Sequence, residues 1–238
     1  MLLEIAVFNF QSALLAAKAG ANRLELCDNQ HEGGTTTSYG TLKLVKEKIA
    51  IPVFPIIRPR GGNFFYSDEE FEVMKKDVLL CKALDFEGIA MGLLNADGTV
   101  DIERTKLLVD LAYPLDITFH RAFDRTIDAA QALEEIINCG CTRILTSGQV
   151  PLAYNGMERI KQLIQQAADR IIIMPSSGIR SSNIKALVDY TEATELHSSA
   201  RKIIDSTNTF NQSSMNENLQ NISVDETEIK SMLQQLNN

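Results

Sequence analysis

A chain of 238 residues with 45% hydrophobic side chains holds enough apolar material for a large buried core, in one α/β domain or two small ones. A formal net charge of −8 and a pI near 5.0 argue against nucleic acid or an anionic membrane as a general partner. Met1 leads straight into strand-like residues with no basic or long apolar start, so neither a signal peptide nor a membrane span is expected. Four scattered cysteines (Cys27, Cys81, Cys139, Cys141) make no disulfide framework and place the chain in the cytoplasm.

In chain order, Leu2 to Phe8 reads as a first strand, with Glu4 the lone acid in an apolar run. An alanine- and leucine-rich helix from Ser12 is closed by Gly20. Arg23 to Cys27 forms a second strand carrying Glu25, and a helix follows from Ser38 or Tyr39 to Ile49. Val53 to Ile57 is a buried, β-branched third strand, ending in Arg58-Pro59-Arg60-Gly61-Gly62. Ser67 opens a long helix as an N-cap, with Glu70 placed to complete a capping box. Further strands are expected at Glu87–Gly92, Leu115–His120, Arg143–Thr146, Arg170–Met174 and Ala193–His197. The intervening helices fall at Asp101–Ala112, Asp128–Asn138, Gly156–Ala168 and Ser182–Tyr190.

Short strands alternating with helices every 25 to 30 residues or so imply parallel strands joined by right-handed crossovers. Eight such units favour a closed (β/α)8 TIM barrel, a fold of roughly 250 residues. A Rossmann sheet is the alternative, but no G-x-G-x-x-G follows the first strand. Residues 1–204 make the barrel body. Residues 205–222 are rich in Asn, Ser and Gln and are expected to be irregular or partly disordered. Val224 to Leu236 then forms an amphipathic helix in the eighth position of the helical ring, so that 205–238 completes the same domain.

In a barrel of this kind the strand ends converge on one rim, where the sites lie. The rim gathers Arg58 and Arg60, held by a stiff proline and a turn-permitting glycine pair, as an anion clamp. It also collects Glu25, His120 with Arg121 and Asp124, and His197 with Arg201, so that two of the three histidines take equivalent positions. The tips Ser147-Gly148 and Ser177-Gly178 are small enough for ligand oxygens to reach peptide N–H groups. Together these residues suggest a pocket for a phosphate or carboxylate. Glu25 or Asp124 serves as general base in this reading, and His120 or His197 as acid or hydrogen-bond donor. Hydrolase, isomerase and lyase chemistry all suit such groups, so catalysis itself stays open. As a metal reading, Cys27 and His31 are separated by three residues, a thiolate and imidazole pair fit for Cu(I) or Zn(II). Cys139 and Cys141 belong to the opposite face and, like Cys81, read as packed residues.

Five blocks carry a resemblance: RLELC-x4-EGG-x-T from Arg23, IPVF-x-IIRPRGG-x-F-x-YSD-x-E from Ile51, TFHRAFD from Thr118, RILTSG from Arg143, and ATELHSSAR from Ala193. In these the chain resembles the CutC family of copper homeostasis proteins over about residues 1 to 210. The resemblance implies a cytoplasmic (β/α)8 barrel that forms a homo-oligomer, a dimer or tetramer, and binds Cu(I) through cysteines, here Cys27. Two departures stand out. Ala6 occupies the place of the family's first-strand cysteine, which removes one of two thiolates. Ser176 and Ser177 replace glycines at the tip of strand seven. Two functions follow, a copper-handling protein and an enzyme or binding protein for a small phosphorylated or carboxylated metabolite.

Overall fold

The computed structural model describes residues 1–205, 207–217 and 219–237. Strands and helices alternate as β1 (Leu2–Val7), α1 (Phe10–Ala19), β2 (Arg23–Leu26), α2 (Tyr39–Lys48), β3 (Val53–Pro55), α3 (Asp68–Ala83), β4 (Gly88–Met91) and α4 (Ile102–Ala112). They continue as β5 (Asp116–Phe119), α5 (Ala129–Cys139), β6 (Arg143–Thr146), α6 (Met157–Ala167), β7 (Ile172–Pro175), α7 (Ile184–Thr191) and β8 (Glu195–Ser198). All pairings among β1 to β8 are parallel, in the orders β3-β2-β1-β8 and β4-β5-β6-β7. A parallel bridge between Ile56 and Ala90 joins β3 to β4, and β7 lies alongside β8, so the sheet closes into a (β/α)8 barrel.

Local chemistry accounts for the elements. Ser67 and Glu70 form the reciprocal capping box at the start of α3, with bonds of 2.9 and 3.2 Å. Gly20 and Gly140 end α1 and α5 in the left-handed region, where a side chain would be strained. In α5 the buried face is Ala129, Ala132, Leu133, Ile136 and Cys139, a helical stripe laid on the barrel. Burying a side chain such as Ile136 contributes about 1.5–3 kcal/mol. The seventh strand begins at Ile172 and not at Arg170. Ala168 and Asp169 turn left-handed after α6, and Arg170 folds back to pair with Glu134 at 2.7 and 2.9 Å.

The polar segment after residue 204 is more regular at its edges than its composition implies. Strand β9 (Arg201–Ile204) pairs antiparallel with β10 (Asn221–Val224), which lays a two-stranded ribbon beside the mouth of the barrel. Ser206 and Asn218 of that segment lie outside the described residues. Helix α8 (Glu226–Leu236), capped by Asp225, packs against α1 and α7 and closes the helical ring. Among the described residues no helix is long and apolar enough to cross a membrane.

Every second residue of a strand points inward, and the register stacks these side chains in rings of four. The ring nearest the strand starts holds Arg23, Gly88, Arg143 and Glu195. Above it come Glu4, Phe54, Thr118 and Met174, and then Glu25, Ala90, Leu145 and His197. Ala6, Ile56, His120 and Ser176 form the ring at the strand ends. Gly88 is required at its place, since a Cβ there would run into the Phe54 ring. That ring in turn receives the guanidinium groups of Arg23 and Arg143, 4.9 and 5.3 Å from its centre.

Candidate functional site: a pocket at the barrel mouth

The two upper rings form the floor and lower wall of a pocket of about 200 Å³ at the C-terminal mouth. Arg58 and Phe64 wall it after β3, Arg121 after β5, Ser177, Gly178 and Arg180 after β7, and Arg201 after β8. Of the residues singled out from sequence, Glu25, Arg58, His120, Arg121, Ser177, Gly178, His197 and Arg201 meet here.

The lower wall is an ion cluster set by register. Glu4 pairs with Arg23 across to β2 and with His197 across to β8. His197 Nδ1 lies 2.7 Å from Glu4 Oε1, and its Nε2 lies 3.8 Å from Glu25 Oε2. Arg23 donates to Glu4 and, at 2.6 Å, to Glu195, which also takes Arg143 at 2.8 Å. Burial opposes the Glu4 charge, but the His197 hydrogen bond and the Arg23 charge override it and bring the carboxyl down to about 2. Burial likewise works against a charged His197. The hydrogen bond to Glu4 and the charges of Glu25 and Glu4 nonetheless raise it above the ordinary histidine value. Glu25 is raised by burial, and by the Glu4 charge, against the pull of His197. Both groups are thus raised, and both face the pocket. Ala6 stands directly above them, and its small side chain leaves the pair open.

On the opposite wall, the N–H of Ala122 donates to His120 Nδ1 at 3.2 Å, so the ring proton sits on Nε2. That Nε2 is buried and has no partner among the described residues. Burial, then the nearby Arg58 charge, lowers the His120 pKa to about 3, so the imidazole is neutral. Its ring packs on Phe64, 4.9 Å between centres. Ser176 Oγ, from the same ring of side chains, is also buried without a partner.

Arg58 is 4% exposed, and its terminal nitrogens donate to three carbonyl oxygens, of Glu32, Gly34 and Gly62, at 2.6–2.9 Å. It thereby ties the loop after β2 to the loop after β3. Among the described residues no ion pair reaches it, and its Nε is unpartnered. Arg60 does not come to the pocket. Its guanidinium turns outward to Glu70 at 2.5 Å and to the carbonyls of Gly61, Asn63 and Phe65. Asp124 is not placed to act as a base on a ligand. Its oxygens accept from Thr146 Oγ1, Arg121 Nε and the N–H groups of Ser147 and Gln149, at 2.6–3.1 Å, and it lies off the pocket. Ser147 belongs to the same knot, with its hydroxyl engaged by Asp124 and Val150. Gly148 lies away from the pocket too, packed so close to Gly156 that a Cβ would not fit. Asp124 and Ser147 therefore hold Arg121 and the loop after β6 in shape.

Sequence reasoning passed over Arg180, which stands at the pocket edge with its Nη2 3.1 Å from the Arg201 carbonyl, and met Ser176 at the tip of strand seven without assigning it to the floor. Position alone, five and one residues beyond β7, is the signal that marks them. Arg143 and Glu195 were equally hidden, each a charged residue at the first position of its strand.

The donor set around Cys27 does not suit Cu(I). The thiol is buried between Ile56, Ala90 and Phe8 and donates to Glu25 Oε2 at 3.6 Å. Burial, then the Glu25 charge, pushes it well above the ordinary thiol range, where it holds its proton. His31 lies on the outer turn of the loop after β2, Ala6 supplies no second thiol, and among the described residues no three His, Cys, Asp or Glu side chains converge as metal ligands.

A single (β/α)8 barrel with a ligand-sized pocket over a buried glutamate–histidine cluster is the class that fold and site define. The chain belongs to the CutC family, whose model matches residues 1–202. It is 47% identical over 214 residues to the mouse copper homeostasis protein cutC homolog, covering 90% of this chain and 79% of the relative. A Chromobacterium violaceum family protein CutC is 46% identical over 200 residues, 84% of this chain and 81% of the relative. The crystal structure of a CutC protein from Streptococcus agalactiae superposes with a TM-score of 0.79 at 32% identity, covering 84% of this chain and 98% of that one. Phosphoribosyl anthranilate isomerase from Thermotoga maritima superposes at 0.62 with 13% identity over 100% of this chain and 98% of that one, a likeness of fold alone.

Proposed function

We propose that this chain serves the copper-homeostasis role named for its relatives through its mouth pocket, which binds a small phosphorylated or carboxylated organic anion. The observation that carries this reading is Arg58, a buried cation on the pocket wall with no carboxylate partner among the described residues. A buried charge is costly unless compensated, and an anionic ligand is the compensation the pocket admits. Arg121, Arg180 and Arg201 surround the entrance, and Ser177 and Gly178, both at positive φ, present peptide edges to it. The Glu25–His197 pair supplies proton-transfer capacity. Direct Cu(I) binding at Cys27 is the reading that the family name favours and the protonated, carboxylate-capped thiol disfavours. Four buried free cysteines suit the reducing cytoplasm, and the exposed Ile203, Phe210 and Met215 on and beside the ribbon suit a homo-oligomer.

The test is mass spectrometry of small molecules released from protein purified under mild reducing conditions, with metal analysis of the same sample. A calorimetric titration with inorganic phosphate accompanies it. A phosphorylated or carboxylated compound should co-purify, and Arg180→Ala should weaken phosphate binding roughly tenfold. One copper per chain, lost in Cys27→Ser, with no anion bound, would overturn this reading in favour of the thiol site.

A further inference from the structure

The pocket has two walls of unlike chemistry. On the β1–β2–β8 side stands the Glu25–His197 pair, with His197 held through Nδ1 by Glu4. On the β5–β7 side stand two hydrogen-bond donors lacking acceptors, His120 Nε2–H and the Ser176 hydroxyl, which are 3% and 1% exposed. The barrel order sets β5 opposite β1 and β7 beside β8, so a ligand resting above Ala6 has the base pair on one side, His120 across from it and Ser176 on the flank between them. Two candidate nucleophiles are engaged elsewhere: the Ser198 hydroxyl donates to the Ile179 carbonyl at 2.7 Å, and the Cys27 thiol is capped by Glu25. An imidazole donor facing a carboxylate base across the pocket is instead the arrangement that stabilises an enolate.

Building on the anion-pocket reading, we infer that the ligand is a short carbonyl compound carrying a phosphate or carboxylate, and that Glu25 and His197 remove and return the proton on the carbon beside its carbonyl. The Glu25 carboxylate takes that proton. The C–H electron pair moves into the C–C bond as the carbonyl π pair shifts to oxygen, and the resulting enolate oxygen accepts hydrogen bonds from His120 Nε2–H and Ser176 Oγ–H. Return of the proton to the same carbon completes an exchange. Where that carbon bears a hydroxyl, whose proton passes to the enolate oxygen, return of the carbon proton to the neighbouring carbon moves the carbonyl by one position, an isomerisation that consumes nothing. The charge of His197, 3.8 Å from the carboxylate, favours the ionised form of Glu25 against burial. The anionic group of the ligand meets the arginines at the mouth, which fixes its length to the depth of the pocket.

The test compares three probes by calorimetry: inorganic phosphate, glycerol 3-phosphate, and phosphoglycolohydroxamate, a planar mimic of an enediolate. The hydroxamate is expected to bind about tenfold or more tighter than glycerol 3-phosphate. His120→Asn and Ser176→Ala should each erode that preference, up to roughly tenfold, while leaving phosphate affinity unchanged. In D2O, dihydroxyacetone phosphate should gain deuterium beside its carbonyl by NMR, and Glu25→Gln should abolish the exchange while still binding phosphate. Equal affinity for hydroxamate and glycerol 3-phosphate, with phosphate bound and no exchange, overturns enolisation and leaves the anion pocket standing. A preference untouched by both His120→Asn and Ser176→Ala overturns the assignment of the donor wall. Failure of all three probes to bind overturns the pocket reading along with it.

Discussion

The two ends of the barrel interior treat buried charge in opposite ways. At the strand starts, Arg23, Arg143, Glu4 and Glu195 form a set in which each charge has a partner, with the Phe54 ring packed against both guanidinium groups. At the strand ends, Arg58 has carbonyl oxygens and the face of the Phe64 ring but no carboxylate, and His120 Nε2 and Ser176 Oγ have no partner among the described residues. A satisfied network rigidifies a core, whereas an unsatisfied one costs stability until something binds to it. The closed end is thus the foundation and the open end is built for a guest.

The hardest way to break that contrast is to open the closed end. Glu195→Ala would leave Arg23 and Arg143 as buried cations short of a partner, and urea denaturation should show a loss of about 3–5 kcal/mol. Arg180→Ala, at the open end, should change stability by less than about 0.5 kcal/mol in the same assay. A similar loss from both would erase the distinction.

A pH series separates the two ends next. His120 titrates at about 3 in the folded protein, far below the ordinary value of 6.5, so the unfolded chain binds the extra proton first. Its contribution is complete above pH 6.5 and is lost as pH falls toward 3, up to about 5 kcal/mol in all. Glu4 adds to the loss below pH 4.5, on the way to its folded value of about 2. His197 has the opposite sign: its raised pKa stabilises below pH 6.5, and that benefit disappears as pH rises through the folded value. His120→Asn should therefore flatten the stability curve between pH 6.5 and 4.5 and leave the slope below 4.5. Melting temperatures across this range are the measurement, and an unchanged upper slope would show that His120 is not held neutral.

The smallest effect concerns the tip of β7. Ser177 sits at φ 81°, a backbone conformation that suits glycine. Ser177→Gly should stabilise by about 1 kcal/mol, reduced by the lost hydrogen bond to the Pro151 carbonyl. If thermal denaturation shows destabilisation instead, that bond outweighs the strain.

Much of this was legible in the residues themselves. The alternation of strand and helix, the Ser67 capping box and the gathering of Glu25, His120 and His197 at one rim follow from local periodicity and one rule of barrel geometry. Arg58 and Arg60 were not separable, because both follow the same strand two residues apart. Only the folded loops show that one turns inward to three carbonyls while the other turns out to Glu70. Asp124 looked like a base for want of any view of Thr146, Ser147 and Gln149, which arrive from 22 to 25 residues away to occupy its oxygens.

Sequence by itself determined the barrel and the rim, because propensity, capping and period act within a few residues and strand order then follows from handedness. Tertiary structure alone decided which polar groups are spent on one another and which are left for a ligand. That choice depends on register between strands far apart in the chain, as when Glu4 on β1 finds both Arg23 and His197.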